Sequence, residues 1–171
     1  MGVLEEIPKK KWKGLVKKAE ESLRANSTGL ITYLEEKRFA FQLEHGNDLT
    51  IVIDEDKTEP VLLVWKGTGL IAPSLQMLRR FPDTLPKIWV DTGAVKPLLN
   101  GANLFRQGIT KFEEFEKGQL VQILNPQGNV LSLAESLFSS EDMPTKGQVM
   151  KTLSFLNDEI WKAAEKIKKD E

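Results

Sequence analysis

Between Lys87 and Ile109 a strand, a helix cap and a glycine-bracketed loop follow one another without a spacer, and no other stretch restricts the possible folds as much. Lys87-Ile88-Trp89-Val90-Asp91 has the alternation of a short strand. Asp91 or Thr92 is placed to cap a helix over 94–99, its side-chain oxygen accepting an orphan backbone N–H. Residues 100–109 then form a loop with Gly101 and Gly108 near its ends. Downstream, Gln119 to Leu124 and Asn129 to Ala134, joined by Asn125-Pro126-Gln127-Gly128, predict a hairpin with a four-residue turn. A last strand is expected over 150–155. Asn157 or Asp158 would cap a final helix with Ile160, Trp161, Ala164 and Ile167 on its apolar side. Short strands, one tucked-in helix and glycine-marked loops suggest a small barrel.

Ahead of this half, Phe81-Pro82-Asp83-Thr84-Leu85-Pro86 disfavours both helix and strand and divides the chain. The expected organisation is an α+β protein, with an α/β N-terminal domain over 1–84 and a second domain over 85–171. The first domain opens with a helix after Pro8, because Trp12, Leu15, Val16, Ala19 and Leu23 recur at helical spacing. Asn26-Ser27-Thr28-Gly29 is read as the turn that ends it. Phe39, Phe41 and Leu43, then Leu49, Ile51 and Ile53, alternate with polar neighbours as in a half-buried antiparallel sheet. Val61-Leu62-Leu63-Val64-Trp65 reads as a central strand and residues 74–81 as a short helix.

Composition removes several function classes. The 171 residues include no cysteine and one histidine, His45. Thiolate chemistry and cysteine-based metal sites are therefore excluded, and no other metal site is expected. A Ser-His-Asp triad would need His45, which sits in the turn sequence His45-Gly46-Asn47-Asp48. Asp91 has a sufficient role as a cap without being a catalytic carboxylate. Neither a bilayer-crossing stretch nor a signal pattern is present, so a cytoplasmic location is expected. A net charge of −1 argues against a uniformly basic coat but allows a local basic patch.

Val90-Asp91-Thr92-Gly93-Ala94-Val95-Lys96-Pro97-Leu98-Leu99-Asn100-Gly101-Ala102-Asn103, with Gly108-Ile109 and Phe115-Glu116-Lys117-Gly118-Gln119-Leu120-Val121, resembles the signature of the PUA domain. Outside the barrel, Pro73-Ser74-Leu75-Gln76-Met77-Leu78-Arg79-Arg80-Phe81-Pro82 and Phe155-Leu156-Asn157-Asp158-Glu159-Ile160-Trp161 resemble the malignant-T-cell-amplified-sequence family, in the manner of its stand-alone archaeal members. The resemblance implies a C-terminal PUA pseudo-β-barrel and an RNA-binding protein of the translation apparatus. Its expected partners are rRNA or tRNA, the small ribosomal subunit in initiation or recycling, and a density-regulated-protein-like partner; no cofactor is implied. A ribosome-biogenesis factor that binds pre-rRNA is the alternative. An accessory RNA-binding part of a modifying enzyme is weaker, because residues 1–84 are too few for a catalytic domain, and no enzymatic activity is expected.

The resemblance implies an RNA-facing surface made of the glycine loop over 100–109 and the late strand over 149–155, and the candidates on and beside it are Lys96, Asn100, Gly101, Asn103, Phe105, Arg106, Gly108, Lys111 and Lys151. Residue chemistry agrees with it. Glycines permit close backbone approach with N–H groups as donors, cations meet phosphates, and Phe105 can stack on an unpaired base. Gln107 replaces a proline usual in the family, which implies a looser loop. Ala134 replaces a glycine, and Glu135, Glu113, Glu114 and Glu116 put acid beside the surface. Lys9, Lys10, Lys11 and Lys13, with Arg79 and Arg80, form a second candidate basic patch.

Overall fold

The computed structural model describes residues 3–23 and 27–169. They divide into two compact units, one running to Thr84 and taking in the residues from Lys162 onward, the other Leu85–Trp161. The sequence pattern alone keeps 85–171 together. The structure groups the end of the last helix, with buried Ala163 and Ala164, with the first unit.

The first unit is a five-stranded antiparallel sheet in sequential order, β1 (Glu5–Ile7), β2 (Ala40–His45), β3 (Leu49–Ile53), β4 (Pro60–Trp65) and β5 (Leu70–Pro73). Helix α1 (Lys9–Leu23) buries Trp12, Val16, Ala19 and Leu23 of the stripe predicted from its spacing, while Leu15 is only half-buried. Two expectations are corrected. Ser27-Thr28-Gly29 opens a second helix, α2 (Thr28–Glu35), whose Leu30, Ile31 and Leu34 are buried; Asn26 lies outside the described residues. β3, which lies between β2 and β4, is buried along its whole length rather than on one face. Helix α3 (Leu75–Arg80) is capped by Ser74, whose hydroxyl accepts the Met77 N–H at 3.2 Å.

The second unit is a six-stranded sheet in the order β7-β11-β10-β9-β6-β8. Its strands are β6 (Lys87–Val90), β7 (Leu104–Phe105), β8 (Ile109–Phe112), β9 (Leu120–Leu124), β10 (Val130–Ser136) and β11 (Gln148–Phe155). All its pairings are antiparallel except β6 with β9. Ile88, Val90, Leu104, Val121, Ile123, Leu131, Val149 and Met150 from the strands, with Leu98 from helix α4 (Thr92–Leu99), make its core. The β9–β10 turn is held by the Asn125 Oδ1, which accepts from Gln127 and Asn129 N–H at 3.0 and 2.9 Å. After β11, Asn157 takes φ +67 and the chain enters helix α5 (Glu159–Lys169). The Asp158 carboxylate accepts from Trp161 N–H at 2.8 Å, Phe155 N–H at 3.0 Å and the Ser154 hydroxyl at 3.1 Å. One buried side chain thus fixes both the end of β11 and the start of α5.

Candidate functional site

The glycine loop is built by bonds at both ends of α4. At its start the Asp91 carboxylate accepts the Ala94 N–H at 2.9 Å, while the Asp91 N–H donates to the Gly108 carbonyl at 2.9 Å. The cap therefore also ties the far end of the loop to the end of β6. At its finish Gly101 N–H donates to Leu98 O and Ala102 N–H to Pro97 O, the paired bonds of a helix closed by a left-handed residue. Gly101 supplies that residue with φ +88, and a Cβ there would lie 3.0 Å from the Phe155 ring.

The other side of the loop is sewn to β11. Asn103 Oδ1 accepts from Thr152 N–H at 2.9 Å, and the Thr152 hydroxyl donates to Ala102 O at 2.8 Å. Arg106 N–H donates to Gly147 O at 2.8 Å, and Gly147 N–H returns to Gln107 Oε1 at 3.1 Å. Gln107, whose place in the sequence implies a looser loop, is instead a second tether. Between α4 and the loop lies a groove of about 550 Å³ with Ala94, Pro97, Asn103, Phe105, Gln107 and Gly108 in its lining. Phe105 is 52% exposed, so a ring that would usually be buried stands at the edge of the groove in water.

The candidates fall into three groups. Asn103, Phe105 and Gly108 line the groove. Gly101 stands behind it, and its N–H, expected as an exposed donor, is spent on Leu98; Asn100 is the exposed helix cap beside it. The cations lie outside the lining. Lys96 is exposed on α4. Arg106 is half-buried, with its guanidinium 5.7 Å from the Phe112 ring centroid and donating at 3.4 Å to Ile109 O. Lys111 rests 4.2 Å above the Trp89 ring, and Lys151 on β11 faces Glu135 across the ladder. Ala134 is fully buried, so its replacement of glycine affects the core and not the surface.

Charge and sequence position did not reveal the contributions of Ala94, Pro97 and Gln107 to the groove. The only available signal was the short distance in sequence between the α4 cap and Gly108. In the first unit, Lys9, Lys10, Lys11 and Lys13 are exposed on α1. Arg80 pairs with Glu59 at 2.6 Å and lies 5.1 Å from the Tyr33 ring, which leaves Arg79 the freer of the two to meet an anion. Among the described residues no group of three or more His, Asp or Glu is arranged to hold a metal ion, and no helix is long and apolar enough to cross a membrane.

Residues 86–154 match the family model of the PUA domain. The chain is 32% identical over 135 residues to translation machinery-associated protein 20 of Eremothecium gossypii, with 70% of this chain and 74% of the relative covered. It is 32% identical over 112 residues to the protein of the same name from Saccharomyces cerevisiae, covering 59% of this chain and spanning 61% of that relative's length. A solved PUA-domain structure from Aeropyrum pernix K1, a tartrate complex, superposes with a TM-score of 0.79 at 21% identity, covering 98% of this chain and 94% of that one.

Proposed function

The chain belongs to the translation machinery-associated protein 20 family and carries a PUA domain, and from that membership we propose that it is an RNA-binding protein of the translation apparatus, acting on the small ribosomal subunit or on tRNA in initiation or recycling. The observation that carries the reading is the groove between α4 and β7 with Phe105 exposed at its edge. An unpaired base can stack on that ring, while Asn103 and the loop backbone offer polar contacts inside the groove. Lys96 and Arg106 adjoin lining residues in the chain and, with Lys111 and Lys151, would serve the phosphates on either side of the base. Their placement outside the lining suits a strand that drops one nucleotide into the groove and runs its backbone along the rim.

Sedimentation with purified ribosomal subunits over a salt series tests the proposal. Association with small subunits is expected, falling with salt at a log–log slope of roughly −0.7 per phosphate contact to single-stranded RNA. Phe105→Ala should weaken RNA binding by about 1–3 kcal/mol, the worth of one stacked base. Arg106→Ala should cost a similar ~1–3 kcal/mol and also reduce the salt slope, because it removes a phosphate contact. Exclusive association with large-subunit precursors would instead support a ribosome-biogenesis factor.

A further inference from the structure

In the first unit, α1 and the face of β2, β3 and β4 that carries Gln42, Thr50, Val52 and Val64 enclose a second groove, of about 490 Å³. Its floor is apolar, with the half-buried Leu15 and Val64 lying over the fully buried Ile7 and Val52. Its rim is basic. Lys11 and Lys18 stand seven residues apart, on one side of α1, and Lys66 faces them from the sheet. Glu44 is the one carboxylate in the lining, and it is already engaged. Lys66 Nζ lies 2.5 Å from its Oε2, and the Thr50 hydroxyl donates to its Oε1 at 2.9 Å. The groove therefore presents a surplus of positive charge above an apolar base.

Gly14, in the middle of α1, forms part of the same wall. Glycine is the poorest helix former after proline, so an interior glycine needs a reason. Its backbone supplies none, since its φ is not positive. Packing within the chain supplies none either, because a Cβ at this position would meet nothing within 4 Å. The space left by the missing side chain belongs to the groove, and it lets another backbone come close to the helix.

We propose that this groove docks an acidic amphipathic helix of a partner protein, which passes close to Gly14, sets its apolar side chains on Leu15 and Val64, and points carboxylates at Lys11 and Lys18. Helix-in-groove recognition needs an apolar trough with charge along its edges, and both are present. An RNA backbone would satisfy the lysines but leave the apolar floor uncovered. The site is separate from the α4–β7 groove and does not depend on its reading.

The test titrates the full chain with a fluorescein-labelled peptide of about four helical turns, built from leucine at i, i+3, i+4 and i+7 with glutamate between. Binding is expected, with methyl resonances of Leu15 and Val64 shifting. Gly14→Leu should raise the melting temperature of the free chain, because leucine is a better helix former, and weaken the peptide by roughly tenfold or more. Lys11→Glu combined with Lys18→Glu should exchange preference, losing the glutamate peptide and gaining its lysine counterpart. The proposal is overturned if the peptide does not bind, if Gly14→Leu binds it as tightly as the parent, or if oligouridylate displaces it from the same methyl groups.

Discussion

At Gly101 two demands coincide: a left-handed backbone at φ +88 and a Phe155 ring edge 3.0 Å from where a Cβ would sit. Gly101→Ala is therefore expected to destabilise the protein by about 1–3 kcal/mol in urea denaturation, through backbone strain together with the ring contact. At Gly108 the φ is ordinary and the nearest neighbour is the Ala94 Cβ at 3.1 Å, so alanine there should cost less. Glu44 offers a titration. The hydrogen bond from Lys66 holds its carboxyl below the usual glutamate range, and the Thr50 hydroxyl adds to this. The folded pKa is thus below the unfolded value of about 4.3, so the pair's contribution is complete above that pH and is lost as pH falls through the lowered folded pKa. Glu44→Gln should lower the urea midpoint slightly near neutrality and converge with the parent in acid; the effect is small because both partners are close to half exposed.

At the scale of elements, Asp158 is the joint to examine. It accepts the N-terminal Trp161 N–H of α5 and two donors from the end of β11. Asp158→Ala should cost about 1–2 kcal/mol as a lost cap, read as a lower melting temperature with loss of helical ellipticity. Caps of this kind were legible in the sequence because the bond runs only three residues ahead, as it does from Asp91 to Ala94, whereas Ser74, which caps α3 through Met77, read as part of that helix. Helix α2 was hidden by the same chemistry, since Ser27-Thr28-Gly29 suits a turn as well as a helix start, and tertiary burial of Leu30, Ile31 and Leu34 decides between them. β7 and β8, of two and four residues, have too little local pattern to announce themselves and exist through β11 and β6. The candidate site was legible to the same extent. Its glycines and charges could be read directly, but the rings that hold Arg106 and Lys111 arrive through folding, Trp89 by the β6–β8 register.

For the whole molecule, a net charge of −1 means that attraction to a polyanion must come from where the cations stand and not from their sum. The second unit has a continuous core of its own drawn from β6, α4, β9, β10 and β11. A fragment spanning Leu85–Trp161 is therefore expected to fold cooperatively, giving a dispersed amide spectrum and a single thermal transition. β7 has one partner in its sheet, β11, and that partner is the last strand among the described residues. A growing polypeptide contains α4 and its loop before it contains their tethers at Gly147 and Thr152. Both walls of the groove are drawn from Asp91–Gly108, so what the later residues add is the fixing of the loop and not a wall of the groove.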